Sequence, residues 1–403
     1  MVRKKPSLDS RIDYSLLLPV FCLLLIGLLS VYVATNTDYP QMVWFILGQQ
    51  LIWVLLGCVI GFIVMFFSTS FLWKGTPWFY LLGLGLMVLP LIFFSPRLVE
   101  ATGAKNWVSI GSITLFQPSE FMKIAYILAL SRLTVWFNQK RSKENIKEDM
   151  VLLGYYTLLT LPVLVLLGFQ KDFGTAIVFL AILLGLTVLS GISWKILGAI
   201  FGFLFAFVAL FLTVFSFEAG REWLYRLGIS TYQINRISAW LNPFDYAQDI
   251  AYQQTQGMIA IGTGGLTGKG FNVLDLAVPV RESDMIFTVI AENFGFVGSV
   301  FVLGLYLLLI YRMIRITFLC NNVFYTYIAT GFIMMILFHI FENIGASLGI
   351  LPLTGIPLPF ISQGGSSMIS NLIGVGLVLS MSYQNQLLTE KEIAKRFRRS
   401  NKY

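Results

Sequence analysis

The sequence predicts an all-α polytopic membrane protein with about ten transmembrane helices, and three observations predict it. Of 403 residues, 57% are hydrophobic and only 12% are charged. Mean hydropathy is +0.78, whereas soluble domains carry about 25% charged residues. Apolar stretches of roughly 18 residues or more, the length that spans a bilayer, recur at ten places. Lys and Arg divide unevenly between the connections on the two sides.

The spans are read in order as 14–35, 43–67, 77–95, 117–136, 150–168, 173–190, 194–215, 284–310, 322–347 and 366–385. The first follows "RKK" and mimics a signal peptide. It is kept as an anchor, because removing it would leave an odd number of spans and separate two basic termini. Polar residues open 117–136 and 173–190. The whole chain, 1–403, reads as one integral-membrane domain. Residues 1–13 form a cytoplasmic tail, 216–283 a large extracellular loop, and 386–403 a basic cytoplasmic tail.

With ten spans both termini share one side. Eighteen of the 28 Lys and Arg fall on that side and eight on the other, while Lys123 and Arg132 lie within a span. The basic side is therefore expected to be cytoplasmic. The net charge of +8 reflects this bias and gives no sign of nucleic-acid binding. Cys22, Cys58 and Cys320 form no disulfide framework, and three Cys with one His make a Cys/His metal site improbable.

The outer connections hold the chemistry. Residues 216–283 form the longest. In "YQINRISAWLNPF", Ile234, Ile237, Trp240 and Leu241 share one helical face, as expected of a helix in the membrane interface. "QGMIAIGTGGLTGKG" matches neither dinucleotide nor phosphate-loop spacing. Its glycines instead allow tight turns and close backbone approach, although Lys269 retains a point charge that could meet a phosphate. "LPLTGIPLPFISQGGSS" is too rich in Pro and Gly to span, and reads as a rigid, partly re-entrant loop packed against protein or a wet cavity.

Several polar residues gather toward the same outer side. In "QPSEFMKIA", Pro118 suits a first helical turn and Gln117 or Ser119 its cap. Glu120 and Lys123 share a face. They read as an internal ion pair or as the lining of a polar cavity, and the two readings are compatible. Asp172 is expected to cap the span at 173, with Gly174 and Thr175 allowing close packing. Trp107 reads either as a site residue or as an interfacial tryptophan. His339 reads as a hydrogen-bonded core residue, near Glu342 and Asn343. Asp284 reads first as part of a helix start, with Ser283 as cap and the carboxylate meeting the positive helix end. That reading leaves unexplained why so many costly residues converge on one side. A carboxylate at the mouth of such a cavity suits a general base acting on a sugar hydroxyl. Glu292, eight residues on, lies about 80° around the helix and two turns deeper, a poorer position for meeting substrate.

The chain resembles the SEDS family (shape, elongation, division and sporulation). The resemblance runs through "GAKNWVSIG", "FQPSEFMKIA", "QKDFGTA", "AYQQTQGMIAIGTGGLTGKG", "RESDMIFTVIAENFGFVGS" and "LPLTGIPLPFISQGGSS". The motif wording is nearer the RodA branch than the division paralogue FtsW. The resemblance implies a peptidoglycan glycosyltransferase of the bacterial cytoplasmic membrane. Such an enzyme polymerises lipid II into β-1,4 glycan at the outer face and releases undecaprenyl diphosphate. It implies Asp284 as the base on the acceptor 4-hydroxyl, and carries Glu120, Lys123 and Trp107 over as family positions. It also implies a nascent glycan strand as substrate, a class B penicillin-binding protein as partner, and other elongation-complex membrane proteins around it. Lys171, Gln363, Ala251, Ser283 and Met285 depart from the family wording. Lys171 is expected to pair with Asp172.

A diphosphate leaving group needs positive charge or a metal. Lys105, Arg221, Arg236, Lys269 and Arg281 lie on the outer side, with Arg236 and Lys269 favoured as diphosphate contacts. Substrate-binding candidates are therefore Trp107, Lys105, Glu120, Lys123, Asp172, Arg236, Lys269 and Asn343. No motif marks a divalent cation, although outer carboxylates could hold one. A lipid-precursor flippase and a non-catalytic scaffold for a transpeptidase are the competing readings. The lack of a clear inverted repeat weakens the first.

Overall fold

The computed structural model describes residues 12–111, 113–141, 145–226, 231–320 and 322–400. Long helices stand at all ten predicted places: α1 (Tyr14–Asp38), α2 (Val43–Met65), α3 (Thr69–Ile92), α5 (Pro118–Asn138), α6 (Ile146–Gln170), α7 (Phe173–Leu189), α8 (Trp194–Ser216), α12 (Ile286–Leu319), α13 (Val323–Ser347) and α14 (Gly365–Ser400). Eight of them are long and apolar enough to cross a membrane. The other two are α5, which carries Glu120, Lys123 and Arg132, and α7, which has only 17 residues. The chain is a multi-pass membrane protein. Helix α14 continues through most of the residues read as a C-terminal tail, and α3 begins eight residues before the predicted span.

The connections at the end opposite the termini are structured. Residues 96–116 form a short helix α4 (Pro96–Thr102) and an antiparallel hairpin, β1 (Val108–Ile110) with β2 (Ile113–Phe116). The hairpin was not expected. Its β-branched Val108, Ile110, Ile113 and Thr114 favour a pleated pair over helix. The long connection before α12 contains α9 (Glu218–Arg226), α10 (Thr231–Leu241) and α11 (Tyr252–Thr263). The apolar face of α10 does not lie free at an interface: Ile234 is buried against Phe215 and Leu224, while Leu241 is exposed.

Helix α14 packs along α2, α3 along α5, α13 along α7, and α1 along α12. Small residues set the closest approach. A Cβ at Gly376 would lie 2.3 Å from the Gly61 carbonyl, so the α2–α14 crossing admits no side chain there. Helices α5 and α13 and the first half of α12 are central. Helix α8 is the opposite case, with only Leu197 and Phe215 buried along 23 residues.

Helix α12 breaks at Gly295 (φ 62°, ψ −157°). The glycine cluster explains how the break is tolerated. Lys269 N donates to Glu292 O (2.9 Å), Gly270 N to Asn293 O (3.1 Å), and Phe296 N to Gly265 O (2.9 Å). The loop thus satisfies the backbone groups that the kink frees, as non-helical backbone at membrane depth requires. A Cβ at Gly268 would meet Asn293 O at 2.1 Å, so the approach is possible only for glycine.

The segment between α13 and α14 is non-helical, as its Pro and Gly content predicts, and is buried at its 358–362 end and mostly half-buried elsewhere. Its carbonyls find partners at Asn343 (Ile356 O, 2.9 Å), Tyr306 (Pro359 O, 2.5 Å) and Gln50 (Ser362 O, 3.2 Å). These bonds make it a fixed wall rather than a free loop.

Candidate active site

A cavity of about 460 Å³ opens at the end away from the start of α1 and the end of α14. Its walls come from the start of α5, the start of α7, α10, the turn before α12, α13 and the segment before α14. It brings together Trp107, Glu120, Lys123, Asp172, Arg236 and Asp284. These six candidates, spread over 178 positions of sequence from Trp107 to Asp284, converge on one volume.

Asp284 sits on a turn and does not cap a helix. Helix α12 begins at Ile286, its cap position is Met285, and no side chain accepts from its first amides. Ser283 Oγ instead donates to Asp284 Oδ1 (3.0 Å). The expected capping by Ser283 is therefore corrected: its hydroxyl is already committed to the neighbouring carboxylate. Asn343 lies outside the cavity lining and holds the turn from behind, donating from Nδ2 to Asp284 O (2.8 Å). Gly355, at φ 80°, leaves space for the carboxylate, since a Cβ there would stand 3.3 Å from Asp284 Oδ2. Burial raises the Asp284 pKa above the ordinary aspartate range, while the Ser283 hydroxyl and the Arg236 charge draw it back.

Glu120 and Lys123 pair at 2.9 Å with both side chains almost wholly buried, and both line the cavity, so the two readings of this pair coexist. Lys123 Nζ also lies 3.2 Å from His339 Nε2, which places His339 at the cavity as well. Gln117 stands at the cap position of α5, as one of the two expected residues, but makes no side-chain bond to its first amides, and Pro118 occupies the first turn.

Asp172 caps α7 as expected, accepting from Thr175 N (3.1 Å). Its other oxygen accepts from Thr175 Oγ1 (2.9 Å), Asn106 Nδ2 (2.8 Å) and Gln117 Nε2 (3.3 Å). It ties three segments of the wall together. Lys171 does not pair with it. That residue ends α6 in a left-handed conformation (φ 58°) and its side chain is exposed. Asn106 and Gln117 were not singled out as Asp172 partners. The signal available was the place of Asn106 inside "GAKNWVSIG", beside Trp107.

The cations separate. Arg236 lines the cavity and donates to Leu353 O. Lys269 is not brought to it. Its ammonium pairs with Glu292 (2.7 Å) and Asp275 (2.9 Å) beside the α12 kink. Burial works against that charge, but the two carboxylates outweigh it and hold the lysine pKa above its usual value. Glu292, 1% exposed, is correspondingly removed from any substrate. Lys105 also lies outside the lining, its ammonium 4.3 Å from the centre of the Phe94 ring. Arg281 is fully buried against Asp38. Among the described residues, no three His, Cys, Asp or Glu side chains gather in a way that would hold a metal ion.

Comparison with known proteins agrees on one family. The FtsW/RodA/SpoVE family, described as cell cycle proteins, matches residues 14–387. Peptidoglycan glycosyltransferase MrdB of Escherichia coli K12 is 32% identical over 387 residues, 94% of this chain and 95% of its own. Among solved structures, Thermus thermophilus rod shape determining protein RodA is similar with a TM-score of 0.62, at 28% identity over 92% of this chain and 96% of that one. A chain of a peptidoglycan synthase complex, described as coordinating polymerization and crosslinking, reaches 0.73 at 27% identity, over 93% of this chain and 98% of its own. A family match across nearly the whole membrane bundle, with relatives matched almost end to end, means that the chain belongs to the FtsW/RodA/SpoVE, or SEDS, family and is a peptidoglycan glycosyltransferase.

Proposed function

We propose that the chain polymerises lipid II into β-1,4 glycan during cell elongation, at the outer face of the bacterial cytoplasmic membrane, with Asp284 as general base. The observation that carries this reading is the Asp284 carboxylate, facing one cavity with Arg236, Lys123 and Glu120. Asp284 accepts the proton of the acceptor 4-hydroxyl as that oxygen attacks the anomeric carbon of the donor. The bond from that carbon to the α-linked diphosphate breaks, and the new glycoside is β, so configuration inverts. The electron pair leaves on undecaprenyl diphosphate, whose growing charge Arg236 meets in a low-dielectric site. The prenyl chain stays in lipid while the head enters the cavity.

The Asp172 cluster keeps the wall around Trp107 in place for the sugars. A class B penicillin-binding protein as partner is supported by the similar chain from a synthase complex that couples polymerization to crosslinking.

Full-length protein, purified with its transpeptidase partner where activity needs it, is given lipid II and glycan is resolved on a gel. Asp284→Asn and Asp284→Ala should yield no polymer while keeping native melting and partner binding. Wild-type polymer from Asp284→Ala would overturn the base. Lipid II flipping in liposomes with no polymer from the unaltered chain would favour a transporter.

A further inference from the structure

We propose that Arg281 is a positioning residue: its grip on Asp38 holds the strained turn from Val280 to Asp284 that aims the carboxylate into the cavity. The proposal rests on the reading of Asp284 as base.

No helix cap fixes Asp284, so the turn itself must. The turn closes through Val280 O, which accepts from both Ser283 N and Asp284 N at 3.2 Å. Val280 stands at φ 53°. A β-branched residue is strongly disfavoured there and persists only where its surroundings over-determine it. The rear of the turn is held by backbone acceptors. Gln363 N donates to Glu282 O (2.9 Å), Ser362 Oγ to Ser283 O (2.6 Å) and Asn343 Nδ2 to Asp284 O (2.8 Å).

The front, next to the strained residue, is held by Arg281. Its Nε donates to Asp38 Oδ2 (2.7 Å) and its Nη2 to Asp38 Oδ1 (2.6 Å). Two parallel charge-assisted bonds fix the plane of the guanidinium as well as its distance. Arg281 is 2% exposed and leads the fully buried side chains in volume. Asp38 ends α1, 243 positions away in sequence. The first helix thus grips the residue next to Val280 and three before Asp284.

A buried ion pair is weak evidence for stability, because apolar residues of similar volume often replace one without loss. That separates positioning from a purely structural role. Three variants are compared in the lipid II polymer assay with full-length protein: Asp38→Leu/Arg281→Met, Arg281→Lys and Asp38→Glu. The first removes both members of the pair and keeps the net charge unchanged. The second keeps charge but loses the fork, and the third lengthens one arm.

Variants that melt with the wild type should lose kcat by about 10–100-fold, as misplacement near 1 Å does, with KM for lipid II within about threefold, since the carboxylate acts mainly in the transition state. The two charge-keeping variants should fall between wild type and the double variant. Wild-type kcat in a native-melting double variant overturns the proposal. So does loss of the fold in all three, which would assign the pair to folding alone. Asp284→Ala is run alongside: polymer from that variant defeats the base reading, whereas wild-type kcat in the clamp variants with Asp284→Ala inactive defeats only the clamp.

Discussion

Two opposed effects set the proton affinity of the Asp284 carboxylate: burial raises it, and Ser283 and Arg236 lower it, with burial prevailing. A general base works only when deprotonated. The proposed mechanism therefore predicts that kcat/KM falls as pH drops through a pKa above the ordinary 3.8. Arg236→Gln removes a lowering influence, so the acid limb should move to higher pH while kcat/KM falls at its plateau. A pH profile of polymer formation checks both, and an unmoved limb would contradict the coupling. Asp172→Ala removes a helix cap and frees Asn106 and Gln117 from their acceptor. Thermal unfolding in detergent should show a loss of about 1–3 kcal/mol, and Asp172→Asn a smaller one. The residues legible in the sequence were those whose burial is expensive: Asp284, Glu120, Lys123 and Asp172 announce themselves by being charged near apolar runs. Their partners were not legible. From the sequence Lys269 reads as a point charge that could meet a phosphate, and only the folded chain shows that Glu292 claims it.

At the scale of elements, sequence periodicity found the helices well, because a membrane span is defined by length and composition alone. It located irregular backbone without saying what that backbone does. The glycine run 262–270 was readable as close approach, yet its object, the kink at Gly295, lies more than twenty positions on. Gly268→Ala should destabilise the fold by about 1–3 kcal/mol through overpacking, with more from the positive φ of 80°. Gly262→Ala, where a Cβ meets nothing within 4 Å, serves as the neutral control. Melting temperatures of the two variants should separate clearly. The hairpin β1–β2 escaped notice because a few β-branched residues between apolar spans carry too short an alternation to stand out. Helix α8 is the reverse case. With Leu197 and Phe215 alone buried, its register is fixed by almost no packing, and reordering its exposed apolar residues should leave melting nearly unchanged.

For the whole molecule, the charge bias and the placement of the cavity make one joint prediction about orientation. The cavity opens at the end away from the start of α1 and the end of α14, and the sequence reading assigns 18 of the 28 Lys and Arg to the other side. With Cys22, Cys58 and Cys320 replaced, a membrane-impermeant maleimide on intact cells should label Asn242→Cys, at an exposed site on the cavity end, and spare Lys140→Cys. The opposite pattern would invert the topology. The fold as a bundle was readable because hydropathy is a local property; the site as a volume was not, because it is assembled from contacts across the whole chain. The turn at Asp284 shows how far that goes. It is gripped by Asp38 at the end of the first helix, Asn343 near the end of α13, and Ser362 and Gln363 just before α14. A chain emerging from the ribosome cannot set that turn until almost its entire length has been threaded into the bilayer. A protein truncated or stalled before Ser362 would thus carry the carboxylate without two of its grips, and on the proposed mechanism a half-inserted enzyme would be silent.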